Sequence, residues 1–488
     1  MTADPDRWPD APSFCLPAVC VVGGFHKIAL GVKNMAKSPK LNKRDGFTTG
    51  LGVIAATLGS AVGLGNIWKF PTLTGTNGGA AFILVYLACT LLVGLPVMIS
   101  ELVIGRRAKA DAVTSFQKLA PKQPWWLIGA IGALAAYLIL AFYTEVAGWV
   151  LAYVVKAASG SLASNNPEVT SAAFGSLVSN PMLSLVVQWV VLAYVSVIII
   201  AGVSKGIEAM TKRLMPLLFA LLVIVGIRSL TLPGGGEGLE FLFRPDFSVV
   251  TWGTVLTALG LSFFKLSVGM GTMVTYGSYF RDDQNIPITA IRVMLADLCV
   301  SMLAGIAIFP AVFAFGFKPE AGASLLFITI PAVFNSMPLG NVFMVLFFIL
   351  AAVAATGAML SLFEVPVALL NERFGWSRFR ATVATALSLT VIGAGAALSN
   401  SVLAEFKLFG MTLFDLFDYT TSNLLLPIGG LFICLFVGWK WGYPELQRAL
   451  SNEGALNNRG IVRAFYGIAK VVSPVLVFVV LLSGLGLI

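Results

Sequence analysis

Charge is scarce in this sequence. Only 11% of its 488 residues are Asp, Glu, Lys or Arg, against 58% hydrophobic, and the mean hydropathy is +0.89. That scarcity excludes an ordinary soluble domain, in which about a quarter of the residues are charged, and places the chain among polytopic membrane proteins. Histidine is nearly absent. His26 is the only one, which excludes a histidine proton relay and a histidine-bound zinc site. The cysteines (Cys15, Cys20, Cys89, Cys299, Cys434) lack metal-ligand spacing, and three fall in apolar runs, where they read as small packing residues. The buried acids lie on separate segments with no nucleophile–base motif and no phosphate loop. No catalytic residue and no resident cofactor are therefore expected, and the chain does not read as an enzyme.

Long apolar runs are what the sequence has in excess. Runs long enough to cross a bilayer lie near 47–71, 78–105, 125–157, 182–203, 206–231, 252–280, 288–316, 339–370, 379–399, 412–438 and 465–487. The reading is an all-α polytopic membrane protein with about 11 transmembrane helices. Lysine and arginine set the orientation. With the N-terminus inside, the interior loops receive Arg106, Arg107, Lys109, Lys205, Lys212, Arg281, Arg373, Arg378, Lys440 and Arg448 among others. The exterior loops keep only Lys156, Arg228, Arg244, Lys318 and Lys407. The N-terminus is expected in the cytoplasm and the C-terminus on the opposite side. The net charge of +9 reflects this topology and not a nucleic-acid surface, whose basic residues would cluster on one soluble face. Residues 1–42 read as an N-terminal cytoplasmic extension. Acidic Asp4, Asp6 and Asp10 precede the short apolar run at 15–24, unlike a signal peptide, and the start-like "MAKSPKLNKRDGF" at Met35 marks the first 34 residues as an extension without assigned function.

Two spans are interrupted alike. "GSAVGLGN" at 59–66 places three glycines mid-membrane in the first, and "LSVGMGT" at 266–272 places two in the sixth. Each mid-helix glycine costs about 1 kcal/mol, and unwound backbone survives in a bilayer only where protein buries it or it lines a cavity. Breaks in spans one and six imply a 5+5 inverted repeat with a midplane site. The first repeat is 43–231, the second 232–440, and the eleventh span with the C-terminus occupies 441–488.

"GSAVGLGNIWKFPTLTGTNGGAAF" and "FFKLSVGMGTMVTYGSYFRDDQNI", followed by "FEVPVALLNERFG" and "FDLFDYTTSNLLLP", resemble the motifs of the neurotransmitter:sodium symporter family, in its bacterial eleven-helix amino-acid transporter branch. Substrate binding between broken helices is well known from this family, so the fold comes with the resemblance. The resemblance implies alternating-access transport of a small-molecule amino acid across a bacterial inner membrane. It also implies a substrate pocket of Ala61, Leu64 and Gly65, Ile139 and Tyr143, Phe264, Lys265, Ser267 and Met270, and Ala358 and Leu362. Gly63 stands where monoamine carriers of the family have an aspartate, so the implied substrate carries its own carboxylate. Ile139, Phe264, Met270 and Leu362 imply a neutral, apolar side chain. The implied outer gate is Lys69 with Asp418 above Tyr143 and Phe264. The implied inner gate is Arg44 with Glu372, near Phe47, Ser278 and Tyr279.

The family's ion positions are altered. Its first sodium site would use Ala61 and Asn66, but Lys265 and Asp297 replace a hydroxyl and an amide there. Lys265 is about 18 Å from either end of its span, beyond the reach of a lysine stem, so its ammonium needs a partner at mid-depth. The second site would use Gly59, Val62 and Ala354, while Gly357 and Ala358 stand in place of its two hydroxyls. Thr356 lies one position early, about 100° away round a helix, unless a local bulge restores it. The expectation is sodium coupling altered or lost and no chloride requirement, because Lys265 and Asp297 form a neutral pair. Proton coupling, in which Glu145 could share, and exchange remain open. So do conventional sodium:amino-acid symport and a non-transporting amino-acid sensor.

Overall fold

The computed structural model describes residues 45–316 and 325–487. Among them no β-strand forms. Nine helices are long and apolar enough to cross a membrane: Ala80–Ala108, Trp126–Ala158, Pro181–Ile200, Val203–Leu230, Ile286–Ala314, Gly340–Phe374, Arg378–Ala397, Leu413–Trp441 and Arg459–Gly484. A tenth span is the pair Gly50–Ala61 and Gly65–Thr76, bent by 53°. The pair Trp252–Lys265 and Thr272–Ser278, separated by the irregular stretch 266–271, completes eleven. The all-α polytopic architecture, with spans one and six broken, is the expected one. The largest shift from the hydropathy reading is at the last span, which begins at Arg459 because an amphipathic turn extends it.

Local chemistry sets most helix starts. Asn180 and Asn285 accept from Leu183 N and Ile288 N, each with a proline in the first turn, and Thr251 and Thr254 form a reciprocal capping box. These devices satisfy amides that a helix leaves unpaired. Gly375, at φ +66°, ends the eighth span.

The two breaks arise differently. In span one, Val62 leaves the helix in an extended conformation, and the chain resumes in a wide π-helical turn over Gly65–Lys69. In span six, Ser267, Gly269 and Gly271 all have positive φ (51°, 80° and 71°), which no α-helix accommodates. Gly269 is obligatory for a second reason: a Cβ there would sit 2.5 Å from the Leu426 carbonyl. The Glu101 carboxylate of span two accepts from Gly269 N at 2.6 Å, and Thr272 Oγ1 donates to Ser267 O at 2.5 Å. Spans three and eight pack along each other, and the first half of span one, Gly50–Ala61, lies against spans five, seven and eight. The breaks thus face the long helices that carry the remaining expected pocket residues.

Candidate functional site

A cavity of about 20 Å³ sits between the breaks. Ala61 and Gly65 line it from span one, Ile139 and Tyr143 from span three, and Ala358 and Leu362 from span eight. Phe264, Lys265, Ser267 and Met270 complete it from span six. Leu64 is adjacent, its N–H donating to the Tyr143 hydroxyl at 2.9 Å. All eleven expected pocket positions therefore converge. Gly63 also lines the cavity, as does Ser60, to which the sequence reading gave no role; both lie within the quoted motif. A Cβ on Gly63 would stand 2.8 Å from Tyr143 Oη and 3.0 Å from Ala358 Cβ, so the missing side chain is what lets the tyrosine reach the break. Ser267 Oγ donates to Ser60 O at 2.7 Å, tying the two unwound segments together.

The Lys265 ammonium lies 2.9 Å from Asp297 Oδ2, with both side chains out of contact with solvent. It also donates to Ser301 Oγ. Its remaining side faces the rings of Phe70 and Tyr86, with centroids at 4.6 and 5.0 Å, an arrangement that favours a cation. Asn66 completes the network. Its Nδ2 donates to Asp297 Oδ1 at 2.7 Å and Ser301 Oγ at 3.0 Å, while its Oδ1 accepts from Gly63 N at 3.2 Å. The amide orientation follows from chemistry, because a carboxylate only accepts. Ser301 Oγ in turn donates to Asp297 O at 2.9 Å. Both carboxylate oxygens, the serine and the amide oxygen thus each have a hydrogen-bond or ion-pair partner.

The second ion position has a different character. A Cβ on Gly357 would lie 2.5 Å from Gly59 O, so spans one and eight touch backbone to backbone where side-chain hydroxyls would project. The bulge that would restore Thr356 does not form. Gly340–Phe374 is one uninterrupted helix, and Thr356 Oγ1 donates to its own Ala352 O at 2.8 Å, lining an apolar cavity among spans three, four and five instead. Val62 and Ala354 are buried beside this contact. Glu145 also stands apart from the central cavity, its carboxylate accepting from Trp149 Nε1 at 2.6 Å.

At one end of the molecule, Lys69 Nζ is 3.7 Å from Asp418 Oδ1, with both side chains about a third exposed or more. The same ammonium lies 4.3 Å above the Phe264 ring. Beyond it opens a cavity of about 520 Å³ lined by Phe264, Lys69, Tyr419 and residues of the last span. At the other end, Phe47 is buried against Tyr276, Tyr279 and Phe280, and its N–H donates to Tyr279 O at 3.3 Å. Ser278 is buried beside it. Glu372 accepts from Asp111 N at 2.8 Å; its expected partner Arg44 lies outside the described residues.

Three features were missed. Glu364, buried, accepts from Tyr279 Oη at 2.6 Å and from Arg378 at 2.9 and 2.6 Å. Glu101 holds the span-six break. Glu208 and Asp45 bind across the N-terminal ends of spans five and one. Each acid lies in or at the edge of an apolar run, where an unexplained carboxylate is itself a signal.

The comparisons with known proteins agree with this geometry. Residues 44–176 and 170–486 match the sodium:neurotransmitter symporter family. YhdH of Bacillus subtilis, an uncharacterized sodium-dependent transporter, is 40% identical over 437 residues, covering 90% of this chain and 97% of its own length. An uncharacterized sodium-dependent transporter of Haemophilus influenzae is 32% identical over 454 residues, covering 91% of this chain and 98% of its own. The crystal structure of MhsT in complex with L-phenylalanine matches with a TM-score of 0.83 at 42% identity, over 90% of this chain and 100% of that one. With two broken spans around one central cavity and matches running nearly end to end, this multi-pass membrane protein belongs to the sodium:neurotransmitter symporter family.

Proposed function

We propose that the protein is a secondary active transporter of a neutral, hydrophobic amino acid, working by alternating access with sodium coupling altered or lost. The observation that carries the reading is the fully buried Lys265–Asp297 pair, 2.9 Å apart, whose lysine lines the central cavity. An ammonium there supplies fixed positive charge where relatives of the family bind an ion. The Gly59–Gly357 contact supports the same reading, because three backbone carbonyls without hydroxyls make a poor cage for a hard cation. The amino-acid class rests on the helix ends that meet at the two breaks, whose amide ends suit a carboxylate and whose carbonyl ends suit an ammonium. The structural neighbour MhsT, solved with L-phenylalanine, supports it as well. The apolar wall of Ile139, Phe264, Met270 and Leu362 favours a hydrophobic side chain. In this reading Tyr143 and Phe264 cover the substrate, and Lys69 with Asp418 closes the outer path. The Phe47 end faces the cytoplasm and the C-terminus faces the periplasm.

The test is uptake of a panel of labelled amino acids into proteoliposomes, with sodium and proton gradients imposed separately. Uptake of apolar neutral amino acids that persists without sodium is the expected result, as is indifference to replacing chloride with gluconate. Strong sodium-driven accumulation would overturn the coupling proposal and leave conventional symport, the reading favoured by the names of the sodium-dependent relatives. Saturable binding without flux would instead identify a sensor.

A further inference from the structure

At the inner end of the molecule, two helix starts hold each other through carboxylates. Glu208, at the start of span five, is buried and reaches the chain entering span one. Its Oε2 accepts from Thr48 N at 2.7 Å, and its two oxygens accept from Thr48 Oγ1 at 2.9 and 3.0 Å. Oε1 also accepts from Thr49 Oγ1 at 2.9 Å and from Lys212 Nζ at 2.6 Å. Thr49 is itself the cap of the inner half of span one, accepting from Gly52 N. Asp45 makes the reverse connection. Its Oδ2 accepts from Val203 N at 2.6 Å and Ser204 N at 3.3 Å, the unpaired amides opening span five. Each carboxylate thus occupies the positive end of the other's helix, where negative charge is favoured.

Both contacts depend on missing side chains. A Cβ on Gly52 would overlap Glu208 Oε1, and one on Gly202 would fall 2.8 Å from Asp45 Oδ2. Gly202 also has φ +103°. The crossing is built around the two carboxylates and does not merely tolerate them.

We infer that Asp45 and Glu208 form a reciprocal clamp that positions the inner half of span one against span five and must release before the central cavity opens toward the cytoplasm. The inference rests on the alternating-access reading above, in which Gly50–Ala61 moves relative to Val203–Leu230. Helix-end carboxylates suit this role because each released group is rehydrated at the membrane surface, so the clamp is strong when closed and separable when open.

The experiment uses the full chain with its five native cysteines replaced, in membranes, with one of two reporters. Ala56→Cys lies buried on the inner half of span one, and Thr257→Cys lines the outer cavity. The reading is the rate of labelling by a small maleimide. Glu208→Gln is expected to speed Ala56→Cys labelling about tenfold, the size of one charge-assisted hydrogen bond, and to slow Thr257→Cys labelling as the population shifts. Gly52→Ala should give the same opposed changes with Glu208 intact, which keeps the inference testable if Glu208→Gln inserts poorly. Faster labelling at both reporters would mean general loosening and overturn the clamp. Unchanged rates in both variants would overturn it equally. Amino-acid uptake by the unmodified protein in parallel vesicles reads the transport proposal separately: its absence removes that function without altering the labelling rates.

Discussion

The two places where the family binds ions differ here in kind. Around Lys265 the structure is polar and hydrogen-bonded, with ammonium, carboxylate, amide and hydroxyl each finding partners within the group. Around Gly357 it is apolar and tight, and the neighbouring helix's Gly59 carbonyl lies where a side chain would begin. In the proposed reading, one region keeps a positive charge by building it into the chain, whereas the other removes the space. The difference predicts opposite responses to substitution. The polar region should be fragile to single changes and tolerant of matched double changes. The tight region should resist any added atom.

Removing one partner of the buried pair is the largest expected effect. Lys265→Met leaves the Asp297 carboxylate unpaired at mid-membrane, and breaking such a pair costs about 3–5 kcal/mol. Poor yield, a lowered melting midpoint in detergent and loss of uptake are expected. Lys265→Thr with Asp297→Asn removes both charges and should recover much of the stability while raising sodium dependence. If Lys265→Met proves as stable as the parent, the pair is not the structural centre of this region. If the double variant gains no response to sodium, the first-site mapping fails.

The sequence already carried much of this contrast, and the reasons are local. Glycine clusters at 59–66 and 266–272 marked the breaks because few residues survive unwinding in a bilayer. Lys265 demanded an acid because its stem is too short to reach water, and Asp297, at the seventh-span ion position implied by the family resemblance, could answer. What the sequence did not reveal was distance between helices. The absence of hydroxyls at Gly357 and Ala358 was visible, but not that the Gly59 carbonyl lies against Gly357. The Asp45–Glu208 crossing was hidden for the same reason, since its partners are far apart in sequence and two of its requirements are glycines. Arg378, read only as an interior-loop charge, turned out to pair with Glu364 beneath Tyr279.

A second, smaller effect tests the tight region. Gly357→Thr forces spans one and eight apart at a contact of 2.5 Å, an overpacking that costs about 1–3 kcal/mol. Gly357→Thr combined with Ala358→Ser also restores the two missing hydroxyls. If space is what excludes the ion, the combined variant should be destabilised without sodium and regain part of its melting midpoint with it, by binding linkage. The parent should show no such shift. A sodium-dependent rise in the parent as large as in the variant would erase the distinction between the two regions.

The smallest expected effect sharpens the comparison by holding chemistry constant and changing burial. Lys69 and Asp418 are again lysine and aspartate, but 3.7 Å apart and partly open to solvent. Exposed pairs of this kind contribute about 0–1 kcal/mol, so Asp418→Asn should leave the melting midpoint nearly unchanged and alter uptake only a few-fold. Lys69→Arg tests the gate more finely. A guanidinium can grip a carboxylate with two parallel bonds and stack on a ring as well, and Phe264 lies 4.3 Å from the present ammonium. The variant should hold the outer path closed longer, lowering the maximal uptake rate while slowing substrate escape. If Asp418→Asn instead proves as damaging as Lys265→Met, burial does not explain the weight of the Lys265–Asp297 pair, because an exposed pair would then matter as much as a buried one.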